Sequence, residues 1–155
     1  MTVPTFDDIP KDINRLIKEH IEQHLTDPAA AHMWDARPVG LSGMVTTLLL
    51  TTTGRKSGEK RHVPLLYVDD GDGYLIIGSK GGNVDHPVWF LNLQADPECE
   101  IRVGKPPVKA RARVLEGAER EKAWAKITDL HHVYAKYQAR AEREIPVVRL
   151  EPIAG

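Results

Sequence analysis

The chain has 155 residues, of which 41% are hydrophobic and 28% are charged, a composition that indicates one soluble globular domain over residues 1–155. Its 21 basic and 22 acidic side chains nearly cancel, which excludes a general polyanion binder and makes nucleic acid a poor partner. The single cysteine excludes an intrachain disulfide, and the longest apolar run, residues 43–50, is too short to cross a bilayer, so we expect a cytoplasmic protein.

Hydrophobic periodicity predicts both helices and strands. In chain order, the expected elements are a helix over 7–25, strands over 44–53, 61–70 and 74–79, a short helix over 87–95, strands over 98–103 and 108–115, a long helix over 116–142 and a strand over 145–152. Tight-turn residues predict that 61–79 and 98–115 are β-hairpins. Because strands outnumber helices and hairpins join them, an antiparallel sheet or small barrel is favoured over a doubly wound parallel sheet.

Two aromatic or proline positions refine this outline. Trp34 falls in an irregular connection that follows the first helix. Pro87 is expected in the first turn of the helix over 87–95, where its missing N–H costs nothing, with Asp85 as a candidate cap.

The segment from Thr51 to Arg61 is the most informative part of the chain. Four basic side chains, three threonines, a serine and two glycines lie in these eleven residues. Arginine offers a planar fork to phosphate or carboxylate, and glycines allow backbone N–H groups to converge on an anion. A solvated basic turn is the plainer interpretation, and the spacing excludes a Walker motif.

A second loop, Gly78–Gly82, leaves a strand and leads to the helix over 87–95, and it adds a serine and a lysine. Two such loops on either side of one hairpin could form a single anion cleft, with the apolar residues 64–67 as a wall for a flat ring. This combination predicts a phosphorylated cofactor with a planar head.

Other candidate side chains are interpreted as structural. His20 and His24 lie one helical turn apart, a spacing that can hold a metal, but no third ligand is evident, so we interpret both as partly buried packing residues and predict no metal site. Cys99 lies beside Glu98 and Glu100, which should raise the pKa of its thiol and exclude a nucleophilic role. Trp89 is interpreted as a core residue, with stacking on a ring as the alternative.

Four short motifs follow one another from Thr51 to Leu93. They are T-T-x-G-R-K-[ST]-G from Thr51, R-x-x-P-L from Arg61, S-K-x-G from Ser79 and P-x-W-[YF]-x-N-L from Pro87. In their order and spacing they resemble the deazaflavin-dependent nitroreductase family, the split-barrel F420H2-dependent reductases of actinobacteria. The resemblance extends over residues 45–152.

The resemblance implies a mainly β, α+β fold: a split β-barrel akin to FMN-binding proteins, with a core over 44–152 and the N-terminal and long C-terminal helices packed on it. It also implies that coenzyme F420, a 5-deazaflavin with a phosphate and an oligoglutamate tail, lies in a groove of the barrel. Matched motif positions give the expected cofactor-binding residues Gly54, Arg55, Lys56, Ser57, Arg61, Pro64, Leu65, Leu66, Ile77, Gly78, Ser79, Lys80, Gly82, Pro87, Trp89, Phe90 and Asn92.

The family also carries tyrosines over the ring on its last helix. Tyr134 and Tyr137 match them, whereas His131 stands where the best-known relatives have a further tyrosine. The catalytic residues that the resemblance implies are therefore Ser79 and Tyr134, as donors to an acceptor oxygen, and Tyr137, as a candidate proton source beside a histidine or water.

Two classes of function remain. The first is an F420H2-dependent oxidoreductase that transfers a hydride to an electron-poor small molecule, a quinone, enone, unsaturated lactone or nitro compound. The second is a non-catalytic split-barrel protein that holds a deazaflavin, FMN or haem. A lipid quinone would bring weak peripheral membrane contact through the helix over 7–25, although its mixed charges favour packing on the barrel. The oligomeric state is left open.

Overall fold

The computed structural model describes residues 13–36, 43–80 and 85–153. Its helices are α1 (Ile13–Thr26), α2 (Pro28–Ala31), α3 (Val88–Ala95), α4 (Gly117–Leu130) and α5 (Val133–Arg140). Its strands are β1 (Met33–Asp35), β2 (Met44–Thr53), β3 (Lys60–Leu66), β4 (Val68–Asp70), β5 (Gly73–Ile77), β6 (Glu98–Arg102), β7 (Val108–Val114) and β8 (Val147–Pro152).

The strands form one curled antiparallel sheet, which confirms the mixed α+β split-barrel prediction. Its order is β1-β2-β6-β7-β8-β5-β4, with β3 paired to β2 away from this path. Every described strand pair is antiparallel. Because only Tyr67 separates β3 from β4, chain continuity brings distant parts of the sheet together, and the sheet must curl into a half-barrel.

The predicted hairpin over 61–79 is wrong in its first half. Strand β3 pairs with β2, from Thr47 opposite Leu66 to Thr53 opposite Lys60, and only β4 and β5 form the hairpin around the turn at Gly71. The continuous apolar pattern of 61–70 hides the break because both halves are strands. The break lies at Tyr67, whose hydroxyl is 2.6 Å from His32 Nε2 and whose ring is buried in the core.

The long helix predicted over 116–142 is also wrong, since it is two helices. Helix α4 ends at Leu130 and α5 begins at Val133, with His131 and His132 between them. The helical hydrophobic period continues across the break, because Ile127 of α4 and Tyr134 of α5 both point into one buried cluster. Periodicity therefore could not reveal the turn.

Smaller boundary errors have local causes. Trp34 lies in a short strand, β1, where it is paired with Val45, and not in an irregular connection. Pro87 precedes α3 as its N-cap residue, so it does not lie in the first turn and Asp85 does not hold the N-cap position. The strand predicted to end at residue 79 is β5, which ends at Ile77. The strand predicted to begin at residue 145 is β8, which begins at Val147.

The second hairpin and the helix over 13–25 are confirmed. Strands β6 and β7 pair from Glu98 opposite Arg111 to Ile101 opposite Val108. The part of the N-terminal helix predicted over 7–12 lies outside the described residues. Among the helices that the structure describes, none has the length and hydropathy that crossing a membrane requires.

Two apolar clusters divide the interior. The first packs α3 against β2, β6 and β7, with Leu48, Leu50, Trp89, Phe90 and Ile101 among its members. The second packs α4 and α5 against β5 and β8 and contains Tyr134 and Tyr137. Strand β2 therefore has its even-numbered leucines, Leu48 and Leu50, in the first cluster.

Candidate functional site: a cationic cleft beside α3

A cleft of about 280 Å³ lies where β2, β3 and the start of α3 meet. Its cations are Arg61 on β3 and Lys80 at the end of the second loop, while Trp89 and its neighbours on α3 form an apolar wall. A cationic edge beside an apolar wall suits a ligand that has an anionic part and a flat ring. The lining residues are Thr52, Arg61, His62, Val63, Lys80, Pro87, Val88, Trp89 and Asn92.

The turn between β2 and β3 is tightly closed. Gly54 N–H donates to Glu59 O at 2.8 Å, and Gly58 N–H donates to Gly54 O at 2.8 Å. Gly58 has φ +74°, which favours glycine, and a Cβ on Gly54 would lie 2.8 Å from Ser57 Oγ. Ser57 Oγ accepts the N–H of Glu59 at 3.1 Å, so this predicted ligand residue also serves the turn itself.

This closed turn presents its cations to solvent. Arg55, Lys56 and Arg61 are all exposed. Arg61 Nη2 lies 3.5 Å from Glu59 Oε2, and the two side chains are 58% and 73% exposed. Exposed ion pairs of this kind are weak, so an anion of higher charge can compete with Glu59 for Arg61.

A buried amide ties the turn to α3. Asn92 is 2% exposed, and its Oδ1 accepts the backbone N–H of Arg55 at 3.2 Å and the Nη1 of the Arg55 guanidinium at 3.4 Å. Its Nδ2 donates to Thr52 Oγ1 at 3.2 Å. Asn92 thus connects three elements at the edge of the cleft: the end of β2, the basic turn and helix α3.

The second loop is held against the opposite end of the chain. Gly78 N–H donates to Pro146 O at 2.9 Å, and a Cβ on Gly78 would lie 2.6 Å from Pro146 Cγ, so the close approach requires glycine. Ser79 is buried, and its carbonyl accepts Arg143 Nη2 at 3.1 Å. Lys80, with φ 45°, then turns to the cleft. Gly82 lies outside the described residues.

Of the other matched positions, some lie beside the cleft and some do not. Pro87, Trp89 and Asn92 line it, while Phe90 and Leu65 pack behind it in the first apolar cluster. Pro64 occupies the alternate strand position and points to the opposite face of β3.

Leu66 and Ile77 belong instead with the tyrosines. Ile77 is a member of the second apolar cluster and Leu66 packs against that cluster, which also holds Tyr134 and Tyr137. The two tyrosine rings pack edge to face with centroids 5.9 Å apart. Burial raises the pKa of both phenols, so both hydroxyls are protonated at neutral pH. Neither tyrosine is among the residues that line the cleft in the described part of the chain.

Four lining residues were missed in the sequence analysis: Thr52, His62, Val63 and Val88. Strand alternation was the available signal for Val63, since it stands two residues beyond Arg61 and shares its face. His62 Nδ1 lies 2.8 Å from Thr51 Oγ1, and burial, followed by the nearby Arg102 cation, lowers its pKa.

The structural interpretations of three side chains are confirmed. His20 and His24 are 4% and 0% exposed, and His20 Nε2 lies 2.9 Å from the carbonyl of Ala31. The pKa of Cys99 is raised to about 12, as expected, although the causes are burial and then Asp96, not the adjacent glutamates. Within residues 13–36, 43–80 and 85–153, no three His, Cys, Asp or Glu side chains converge on a metal position.

Comparison with known proteins identifies relatives over nearly the whole chain. The family model for F420H(2)-dependent quinone reductases matches residues 29–152. An F420H(2)-dependent quinone reductase of Mycobacterium tuberculosis is 35% identical over 150 residues, which cover 90% of this chain and 97% of that protein.

Solved structures agree with that result. A reductase described as F420-H2 dependent (FDR-A) is 42% identical, covers 68% of this chain and 93% of its own, and superposes with a TM-score of 0.63. A chain described as a domain-swapped dimer is 34% identical, covers 90% and 99%, and has a TM-score of 0.65. The haem storage protein HutZ of Vibrio cholerae, at 17% identity and a TM-score of 0.52, shares the fold alone.

Proposed function

The chain belongs to the F420H(2)-dependent quinone reductase family, and on that premise we propose that its cationic cleft binds reduced coenzyme F420 for the reduction of a quinone. The observation that carries the proposal is the juxtaposition of Arg61 and Lys80 with the apolar wall of α3 in one cleft. The enzyme is accordingly an F420H2-dependent oxidoreductase.

The residues present fit the chemistry of this cofactor. A phosphate and an oligoglutamate tail are multiply anionic, and Arg55, Lys56 and Arg61 are exposed cations on one turn. A planar deazaflavin suits the apolar surface of Trp89 and Val63. Since the cleft measures only about 280 Å³, we assign it the ring and the phosphate, with the oligoglutamate tail extending over the exposed turn.

When bound, reduced F420 supplies a hydride from C5 of its ring. The protein's part is to position the two reactants and to keep water away from them. In our proposal Arg55, Lys56 and Arg61 hold the anionic tail, and the wall formed by Trp89 excludes water on one side of the cleft.

The acceptor side of the reaction is assigned to Ser79 and the tyrosine pair. From the family resemblance alone, we propose that the hydroxyls of Ser79 and Tyr134 donate hydrogen bonds to the acceptor oxygen on which charge develops, and that Tyr137 is a proton source, although none of the three is among the described residues that line the cleft. The raised pKa values keep both phenols protonated, which a hydrogen-bond donor requires, but they also make Tyr137 a weaker acid.

The range of acceptors goes beyond the quinones named for the relatives. Enones, unsaturated lactones and nitro compounds present a similar electron-poor centre beside an oxygen, so we propose them as additional substrates. The second function considered from the sequence, a non-catalytic carrier of deazaflavin, FMN or haem, would bind a cofactor but show no turnover.

Two measurements test the proposal. Fluorescence titration with oxidised F420, and with FMN in parallel, should show binding of F420 in preference, weakened by salt. Mixing the protein with F420H2 and a soluble naphthoquinone should then oxidise the deazaflavin, followed by its absorbance. Preference for FMN, or binding of F420 without turnover on any acceptor class, would contradict the proposal.

Membrane contact and assembly stay predictions. The described part of α1 carries mixed charges, with an Arg15–Glu19 pair on its exposed side, which favours packing over insertion. Flotation with anionic vesicles tests contact, and sedimentation tests whether this chain is a dimer.

A further inference from the structure

Asn92 lines the cleft, and its amide is hydrogen-bonded to protein groups at both ends. Only 2% of the residue is exposed, and its carbonyl oxygen already accepts two hydrogen bonds, both from Arg55. A carbonyl oxygen has two lone pairs, so a ligand finds no further acceptor on this side chain.

The orientation of the amide is fixed by its partners. The oxygen faces two N–H donors of Arg55, and the nitrogen faces the hydroxyl of Thr52, which is itself 1% exposed. A flipped amide would place its N–H2 group against the donors of Arg55. Asn92 therefore holds one defined geometry before any ligand arrives.

Among the contacts described for the turn, those with Asn92 are the ones that orient the Arg55 side chain. It is exposed, and both its backbone N–H and its guanidinium contact the same oxygen atom. An exposed arginine side chain normally samples many rotamers, so this single attachment decides where the cation points.

We propose that Asn92 is a positioning residue, which aims the Arg55 guanidinium and the basic turn at the anionic part of the ligand without contacting the ligand itself. This inference rests on the proposed function, since it assumes that F420 occupies the cleft. Its consequence is that Asn92 affects affinity only through Arg55.

A double-mutant cycle on F420 binding tests this directly. Arg55→Ala and Asn92→Leu are each expected to raise the Kd about tenfold, because an oriented charge-assisted contact is lost. The double variant should bind no worse than Arg55→Ala alone. A 5-deazaflavin nucleoside that lacks the phosphate and tail should bind all four proteins with Kd values within about twofold, a specificity that loss of an anion contact requires.

A second readout needs no ligand. Hydrogen exchange of the Arg55 amide should accelerate in Asn92→Leu and stay slow in Asn92→Asp, whose carboxylate keeps both acceptor contacts. Leu93→Ala, a neighbouring core change on α3, is the matched control: it lowers thermal stability without changing the preference for F420 over the nucleoside. If Asn92→Leu does not fold, Asn92→Ser, too short to reach Arg55, replaces it in the cycle.

Each outcome decides between named possibilities. Effects that multiply to about a hundredfold in the double variant would overturn the positioning role, since Asn92 would then act independently of Arg55. Unchanged F420 binding in Asn92→Leu would overturn it as well. If the wild-type protein does not bind F420 while Arg55 exchange responds to Asn92, the proposed function has failed, and the aiming of Arg55 at that cofactor fails with it.

Discussion

The two faces of the β2–β3 ribbon have opposite electrostatic character. On one face Thr52, Arg61 and Val63 border the cleft, where the Arg61 cation is exposed to solvent. On the other face Thr47 supports α1, where His20 and His24 are buried with depressed pKa values. Residues that are neighbours in sequence therefore lie in environments that favour and disfavour positive charge.

Strand alternation, more than local composition, therefore separates the residues that border the cleft from those that pack against α1. Thr51 and Thr52 are adjacent and both buried, yet Thr51 pairs with the imidazole of His62 on β3 while Thr52 pairs with the amide of Asn92 on α3. Substitutions on the α1 side should change how the free energy of unfolding depends on pH. Substitutions on the cleft side should change how F420 affinity depends on salt concentration.

The largest change is expected in protein stability, on the side of the β2–β3 ribbon where His24 is buried. His24 has a pKa of about 4 in the folded protein against 6.5 when unfolded, caused first by burial and then by His20, His32 and Arg102. Between these values the unfolded chain binds more protons. The free energy of unfolding should therefore fall by about 3 kcal/mol as pH drops from 6.5 to 4.

Chemical denaturation across this pH range measures the effect. His24→Gln should make the profile shallower, although the buried His20 keeps its own lowered pKa, and His132→Gln, at an exposed position, is the control. A profile of the same steepness in His24→Gln and wild type would show that another group causes the loss. Binding of F420 at pH 7.5 should be unaffected by His132→Gln.

The next largest effect is on the cleft face. Removing two exposed cations in Lys56→Ala with Arg61→Ala should weaken F420 binding by about thirtyfold, or about 2 kcal/mol, and the salt dependence of Kd should become shallower. The unfolding profile against pH should not change. Equal F420 affinity in this double variant and wild type would falsify the assignment of these cations to the tail.

The hydroxyl of Thr47 contacts both buried histidines. Thr47 Oγ1 lies 3.3 Å from Nε2 of both His20 and His24, and it donates to the carbonyl of Ala31 at 3.0 Å. Thr47→Val should cost about 1–2 kcal/mol because these buried groups lose their partner. Thermal unfolding measures the loss, and Thr128→Val, whose hydroxyl donates to carbonyls of its own helix, is the control. A shift in F420 affinity larger than the shift in stability would contradict independence of the two faces.

The smallest effect is predicted for Glu59. Its carboxylate is an exposed partner of Arg61, so Glu59→Gln should strengthen F420 binding only about twofold, or about 0.5 kcal/mol. Isothermal titration at low salt is sensitive enough to detect it, and the gain should vanish at high salt. Weaker binding in this variant would mean that the Arg61–Glu59 pair orients the arginine.

Local chemistry determined much of this protein before any folding was considered. The glycines and cations of the turn and the alternating strands are properties of short segments, so the antiparallel α+β fold, the turn between β2 and β3 and the packing role of His20 and His24 were predicted correctly. The four motifs likewise indicated the family, because each motif is defined by a few consecutive residues.

The folding of the whole chain determined which distant segments contact one another. The pairing of β3 with β2 instead of β5, the break of the last helix at His131, and the separation of the tyrosines from the cleft depend on how the sheet curls around two cores. The engagement of Asn92 with Arg55, 37 positions apart in the chain, depends on it too. Periodicity reports which face of a segment is buried, but not against which segment, and that choice is made by the packing of the whole chain.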